Sequence, residues 1–359
     1  MTEQRPPFSA DGQPPPVDSG ADAGREAYRI SGVDVEAGYR AVELIKDLAA
    51  AGFSATDVGG IGGFAGLIRL DGGRLLAAAT DGVGTKLEVA RMFGRFDTVG
   101  IDLVAMCAND VACTGARPLF FLDYLAVERV VPERVAAIVS GVAEGCRRAG
   151  CTLLGGETAE HPGVMSEGQF DLAGFCVGVV EEGHLLGPVR AEAGDVLVGF
   201  RSTGVHANGF SLIRKVMLED PGSLERFEPE LGRTLGEELL EPTAMYVAAL
   251  LALADAGLAR SAAHITGGGM LENLPRALPP GLGAVIVGES WTPPPIFGIV
   301  ASAAGLGLDE LFGVLNMGIG MVVVVPAGQQ DRALQVGRAA GVDAVVIGWV
   351  NQEPGVHRR

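Results

Sequence analysis

The chain has 359 residues, 48% of them hydrophobic, and a formal net charge of −17 at neutral pH. That length suits two domains, and the acidic balance excludes nucleic acid as a partner, because nothing basic would offset phosphate repulsion along a duplex. Cys107, Cys113, Cys146, Cys151 and Cys176 form no CxxC pair, no apolar run reaches about 18 residues and no basic-then-apolar leader opens the chain, so we expect a cytosolic protein with reduced thiols, neither secreted nor membrane-spanning.

Residues 1–27 are rich in proline, glycine and acidic side chains, with Pro14, Pro15 and Pro16 in a row, and predict a disordered tail. From Asp34 to Ala51, Tyr39, Val42, Ile45 and Leu48 recur every third residue and predict a helix stopped by Gly52. The chain then alternates. Leu75–Thr80 reads as a strand, Asp97–Thr114 as a helix, Leu119–Val127 as a strand, and Pro132–Ala149 as a helix opened by proline and closed by Gly150. Apolar runs follow at Thr152–Leu154 and Phe170–Val180, and Glu181–Gly194, which carries charge, glycine and proline, reads as a linker. Beyond it come a strand at Asp195–Arg201, helices near Asn208–Met217 and Pro242–Ala256, strands at Gly283–Val287, Met321–Val325 and Ala344–Val350, and a helix at Gln329–Ala340. Strands and helices mix without a strict βαβ rhythm. The expected fold class is therefore α+β, with two mixed domains at 28–187 and 188–359.

Six motifs place acidic, amide or imidazole groups beside glycine: GGIGGFAG (Gly59–Gly66), TDGVGTKL (Thr80–Leu87), VAMCAND (Val104–Asp110), GGETAEHPG (Gly155–Gly163), STGVHANGFSLIRK (Ser202–Lys215) and HITGGG (His264–Gly269). Backbone N–H groups approach phosphate oxygens closely only where side chains are absent, and carboxylates and amides are hard-oxygen ligands suited to Mg²⁺. An enzyme handling a nucleotide is the expectation, with Gly62, Gly63, Gly82, Gly84 and Thr85 in the phosphate-binding motifs. No GxxxxGK[ST] occurs, and Gly60, Gly62 and Ala65 meet the loose dinucleotide pattern without a preceding strand or the expected acidic residue.

Only Lys46, Lys86 and Lys215 interrupt an otherwise all-arginine set of 27 cations. A compact ammonium suits β- and γ-phosphates, which makes Lys86 and Lys215 candidates, although a solvated face explains Lys215 as well. His184 and His357 read as surface residues. His206, amid hydroxyl and amide groups, and His264, ahead of three glycines and a short predicted helix, are the candidates for moving protons. Gly267, Gly268 and Gly269, with Ser202, Asn208 and Ser211, are expected to cradle phosphate or ribose. Glu157 and Glu160 are candidates for orienting substrate or supporting a metal, the second half of their motif reading equally as a turn, and Asn316 is a candidate ligand contact.

The strings TDGVGTKL, GIDLVAMCAND, PLFFLDYLA, GGETAEHPG, AGFCVGVVE and HITGGG together resemble the phosphoribosylformylglycinamidine cyclo-ligase family, the aminoimidazole ribonucleotide synthetases of purine biosynthesis, from about Tyr28 to Trp349. The resemblance implies that ATP activates the formamide oxygen of formylglycinamidine ribonucleotide as an iminophosphate. A substrate nitrogen then closes the imidazole ring, and aminoimidazole ribonucleotide, ADP and phosphate are released. It implies a homodimer whose N-terminal sheets pair into a barrel, an N-terminal domain for ATP and Mg²⁺, and a C-terminal domain for substrate. In this chain Asp81 and Asp110 become the expected metal ligands, with Asn109 bordering the same cleft. Lys46 and the GGIGGFAG segment become part of a lid over ATP, and Lys86, His206 and His264 become the expected catalytic groups. Leu315, His161 and Ser31 stand where the family commonly has phenylalanine, methionine and alanine, mild departures that bear on substrate positioning.

Sister enzymes of selenophosphate synthetase or thiamine monophosphate kinase type would share the aspartates and the domain plan. The former normally carries a reactive cysteine near its N-terminus, and no cysteine here precedes Cys107. A catalytically silent dimeric scaffold is the remaining alternative, disfavoured because polar clusters in glycine-rich clefts are costly to keep.

Overall fold

A computed structural model describes residues 32, 34–50, 58 and 62–359. The tail at 1–27, Ser31, residues 59–61 of GGIGGFAG and the side chain of Lys46 lie outside the described residues. Helix α1 (Val35–Ala50) is followed by β1 (Gly66–Leu70) and β2 (Arg74–Gly82), an antiparallel hairpin. On β2 the side-chain period of two buries Leu75, Ala77 and Ala79 and exposes Arg74 and Thr80. Next come α2 (Lys86–Phe93), α3 (Val99–Cys113), β3 (Arg117–Val127), α4 (Pro132–Ala149), β4 (Thr152–Glu160) and β5 (Phe170–Glu181). The five strands lie in the order β1-β2-β5-β3-β4, antiparallel except for the β3–β4 pair.

Helices α3 and α4 cover one face of this sheet. Their backbones touch at two glycines: a Cβ on Gly100 would lie 2.4 Å from the Ile138 carbonyl oxygen, and one on Gly141 would lie 2.3 Å from that of Asp97. The other face carries Ile68, Tyr124 and Phe175 exposed to solvent.

The second half begins with β6 (Val196–Arg201) and α5 (Phe210–Met217), then a two-residue ribbon of β7 (Phe227–Glu228) and β8 (Arg233–Thr234), α6 (Leu235–Leu239) and α7 (Val247–Asp255). It continues through β9 (Ser261–His264), α8 (Gly269–Asn273), β10 (Gly283–Ile286), α9 (Pro295–Ala304), α10 (Leu308–Leu311), β11 (Ile319–Val325), α11 (Gln330–Ala339), β12 (Ala344–Asn351) and β13 (Gly355–Arg358). Six of these strands form one sheet in the order β13-β10-β12-β6-β11-β9. Every residue of β11 is buried, which is why it reads as a continuous apolar run.

The fold class expected from the pattern, two mixed domains each with its own sheet, is the one observed. Two elements depart from expectation. The short apolar run at Thr152–Leu154 continues as strand through Glu160, because the GGETAE residues pair in parallel with β3 from Leu122 to Val127. The helix expected from Pro242 starts only at Val247, because residues 241–246 spend their backbone groups on α2 and α3 instead. Helices α2, α6, α9 and α10 and strands β1, β7, β8, β9 and β13 were not anticipated, most of them being short.

Candidate active site

The site is organised by α3, on which every residue but Asp110 is buried. A helix buried all round must satisfy its polar side chains internally. Asp102 does so with Lys86 of α2: the ammonium lies 2.9 Å from Oδ1 and 2.8 Å from Oδ2, with neither side chain exposed at all. Lys86 Nζ also donates to the carbonyls of His206 at 3.0 Å and Glu241 at 2.8 Å. Asp102 Oδ1 in turn accepts from the Thr243 backbone N–H and hydroxyl at 2.8 and 2.6 Å. Burial lowers the Lys86 pKa and raises that of Asp102, each pulled back by the other. Hydrogen bonds to Oδ1 and the ion-pair contact at Oδ2, which has no hydrogen-bond donor of its own, hold the charged pair.

Two turns further along, Asn109 continues the clasp. Its Nδ2 donates to the Ala244 carbonyl at 3.0 Å and its Oδ1 accepts from the Tyr246 N–H at 2.8 Å. These two clusters join the halves of the chain through desolvated groups, so α2, α3 and residues 241–246 form one continuous polar spine.

Asp110 is partly exposed, its side chain 19% accessible. Its Oδ1 is 2.9 Å from His264 Nδ1, and His264, fully buried at the end of β9, has its Nε2 3.4 Å from Asn109 Nδ2. An amide nitrogen at Nε2 makes that atom the acceptor, so Nδ1 carries the proton toward Asp110. Asp81, at the end of β2, accepts from the Gly82 N–H at 2.8 Å. Burial, with the Asp110 carboxylate nearby, pushes Asp81 up to about 6. Two carboxylates that repel each other while each retains an uncommitted oxygen suit a hard cation. Among the described residues, no group of three or more His, Cys, Asp or Glu side chains could hold a metal on its own.

From Asp81 the chain turns through Gly84 (φ +70°) to Thr85, whose hydroxyl lies 3.2 Å from that of Ser211 on α5. These two hydroxyls border a cavity of about 450 Å³ that is also lined by Arg214, Lys215, Met92 and Leu218. Ser211, Arg214, Lys215 and Leu218 follow the i, i+3, i+4, i+7 spacing of one helix face. Hydroxyls and cations thus converge from both halves of the chain.

Two family models match in tandem: AIR synthase related protein, N-terminal domain, over residues 62–180, and AIR synthase related protein, C-terminal domain, over residues 192–359. A phosphoribosylformylglycinamidine cyclo-ligase of Shouchella clausii (strain KSM-K16) is 51% identical over 334 residues, covering 92% of this chain and 97% of its own. The chain belongs to the phosphoribosylformylglycinamidine cyclo-ligase family. Its fold is shared more widely. Thiamine-monophosphate kinase from Stenotrophomonas maltophilia K279a superposes with a TM-score of 0.63 at 21% identity, over 86% of this chain and 93% of that one. T. maritima PurL complexed with ADP superposes with a TM-score of 0.57 at 19% identity, over 85% of this chain and 44% of that one.

Within this cyclo-ligase-family chain, several expected site residues stand elsewhere than the sequence suggested. Lys86 commits all three ammonium protons inside the protein. His206 does not fit a proton carrier: its Nε2 accepts from the Thr203 and Ala244 N–H groups at 3.3 and 3.4 Å, and it is 2% exposed. Burial holds its imidazole well below the usual histidine range. His264, equally buried, holds Asp110 through its Nδ1. Asn109 is absorbed by the clasp, and Asn316 by a bracket in which it accepts from Ser202 Oγ at 3.0 Å and donates to the Gly204 carbonyl at 3.0 Å. That bracket also occupies Ser202.

The turn at Gly267–Gly269 is largely closed on itself. Gly269 N–H donates to the Thr266 carbonyl, and Asn273 Nδ2 donates to the carbonyls of Gly267 and Gly269. Gly269 must be glycine there, since a Cβ would lie 2.2 Å from the Phe312 carbonyl oxygen at a φ of +58°. Gly63 reaches this turn through a residue the sequence did not mark: Arg276 donates to the Gly63 carbonyl, stacks on Phe64 with 3.9 Å to the ring centroid, and bonds Asn273 Oδ1. Asn208 Nδ2 lies 3.9 Å from Met106 Sδ, beside α3. Glu157 is exposed on β4, opposite Tyr124 and away from Asp81, while Glu160 caps the Val130 N–H at 2.6 Å. Of the family departures, His161 bonds the Tyr124 hydroxyl at 3.2 Å and Leu315 is buried against Gly209.

Proposed function

We propose that this chain catalyses the ATP-dependent closure of formylglycinamidine ribonucleotide to aminoimidazole ribonucleotide, with the reaction centre between Asp81, Asp110 and the Thr85–Ser211 cavity. The observation that carries the reading is 51% identity to a named cyclo-ligase over 92% of the chain, and the interacting carboxylates of Asp81 and Asp110 support it. The sister kinase type shares the fold but stands at 21% identity.

The amide oxygen of the substrate is a weak nucleophile toward a polyanionic nucleotide, so charge neutralisation and alignment are the main tasks of the protein. Mg²⁺, which takes one or two carboxylates and completes its shell with water and phosphate oxygens, fits Asp81 and Asp110 and would neutralise the nucleotide's γ-phosphate. His264 fixes one oxygen of Asp110 and leaves the other available to a cation. The Gly82 N–H does the same for Asp81. Thr85, Ser211, Arg214 and Lys215 are suited to the phosphate-bearing end of the substrate. Lys86, Asp102 and Asn109 keep the two halves in the register that brings these groups together.

The division of the chain at residues 187 and 188, a nucleotide-binding first half and a substrate-binding second half, belongs to the same proposal. So does a homodimer: the uncovered sheet face with Ile68, Tyr124 and Phe175, and the exposed Leu154 on edge strand β4, form the surface that a paired sheet would bury. Sedimentation at twice the 36.9 kDa chain mass is the expected result. The function is tested by following ADP and aminoimidazole ribonucleotide together. Equal, substrate-dependent yields are expected, whereas ADP without the aminoimidazole product would assign a kinase instead.

A further inference from the structure

Away from the nucleotide site, three cysteines meet in the layer between α4 and the five-stranded sheet. Cys146 lies on the last turn of α4, Gly150 reverses the chain at a φ of +70°, and Cys151 immediately precedes β4. The Cys151 N–H donates to the Cys146 carbonyl at 3.0 Å, a 6→1 bond that draws the two residues together across the turn. Cys176 lies on the helix-covered face of β5, held between Ala79 and Phe121. The helix-end geometry sets the side chains of Cys146 and Cys151 side by side across the turn. Cys146 and Cys176 are buried, at 2% and 0% exposure, whereas Cys151 is partly open, and all three are free thiols.

We propose that Cys151 is an oxidation site and that Cys146 resolves it as a reversible disulfide across the α4–β4 turn. A nucleophilic sulfur reachable from solvent, with a second thiol in contact, is the arrangement that diverts oxidation into a disulfide. The oxidant is a hydroperoxide. The Cys151 sulfur attacks its terminal oxygen, an S–O bond forms, the O–O bond breaks, and the alcohol or water leaves with the thiol proton. Cys146 then attacks the sulfenic sulfur, forming the S–S bond and releasing the hydroxyl with its own proton as water. Two thiols lose two electrons and one hydroperoxide gains them. Cys151 is the attacking sulfur because it alone of the three is open to solvent, and the neighbouring Cys146 and Cys176 thiols hold its pKa below the usual thiol range. Cys146 rather than Cys176 resolves it because the tight turn already pairs it with Cys151, whereas Cys176 is fixed within two strand ladders.

The test uses the full-length protein, a few equivalents of hydrogen peroxide at neutral pH, alkylation of the remaining thiols, and tryptic mapping. Trypsin places Cys146 on the peptide 135–147 and both Cys151 and Cys176 on the peptide 149–190. The expected product is a crosslink between these peptides, reversed by dithiothreitol, retained in Cys176→Ser and absent in Cys151→Ser. In Cys146→Ser, Cys151 should proceed to sulfinic acid. A bond within the peptide 149–190, loss of the crosslink in Cys176→Ser, or an unmodified Cys151 where a free cysteine is fully oxidised would each overturn the proposal.

Discussion

Lys86→Met keeps a side chain of similar length while removing the ammonium that holds Asp102 and the carbonyls of His206 and Glu241. The variant leaves a fully buried carboxylate with only the two Thr243 donors. Removing one partner of a buried pair costs about 3–5 kcal/mol, because the remaining charge stays desolvated. For domains of this size, roughly 2–4 °C of melting temperature accompanies each kcal/mol, so a fall of roughly 6–20 °C is expected. The double variant Lys86→Met/Asp102→Asn removes the stranded charge, keeps an oxygen acceptor for Thr243, and should recover at least about half of the loss. Below its melting range, Lys86→Met should retain turnover within about tenfold, since no proton of the ammonium faces the reaction centre. Urea unfolding of wild type and the two variants, alongside turnover, decides the matter. A single variant destabilised by less than about 1 kcal/mol but slowed more than about a hundredfold would refute the structural role and return Lys86 to the chemistry.

Other substitutions separate the remaining roles. Asp110→Asn should lower turnover at least about a hundredfold while shifting unfolding by less than about 1 kcal/mol, because the side chain is partly exposed and lies outside the clasp; unchanged turnover at saturating Mg²⁺ would remove Asp110 from the site. Arg214→Ala should raise KM for the ribonucleotide substrate by roughly 10- to 100-fold, the loss of a charge-assisted hydrogen bond, with a smaller change in kcat; an unaltered KM would leave the cavity without its substrate. His206 is held neutral in the fold, whereas in the unfolded chain it protonates near its ordinary 6.5. Its contribution is therefore intact above that pH and is lost as pH falls, by about 1.4 kcal/mol at pH 5.5. His206→Asn, which tolerates the positive φ of this position, should lack this decline, as urea titrations at pH 7.5 and 5.5 would read out.

Where one element alone determines a signal, that signal was legible in the sequence. Helix α4 begins at Pro132 and ends before Gly150 as read, because both boundaries depend on backbone restrictions of those two residues. Strand β11 announces itself by burial on both faces. Asp81 was marked by its place beside Gly82 and Asp110 by the family-like VAMCAND string, and the structure brings the two carboxylates near enough to interact. What sequence could not reveal was burial of charge. The scarcity of lysine did mark a place needing a compact three-proton donor at Lys86, but the acceptors are Asp102 and two backbone carbonyls that come from 16 to 155 residues away, not phosphate. His206 and His264 show the same limit, since a histidine amid polar neighbours looks alike whether it faces a ligand or braces a strand end. Arg214 was missed because arginine is this chain's ordinary cation, and only the shared face with Ser211 on α5 distinguishes it.

The most direct measurement is turnover with formylglycinamidine ribonucleotide carrying ¹⁸O in its formyl group, together with ATP and Mg²⁺, with the label traced by mass spectrometry. If the formamide oxygen is activated by phosphoryl transfer at the Asp81–Asp110 centre, the released inorganic phosphate should carry the label, in an amount equal to the aminoimidazole ribonucleotide formed, and Asp110→Asn should suppress both. Unlabelled phosphate accompanying product, or ADP released without aminoimidazole ribonucleotide, would contradict the account.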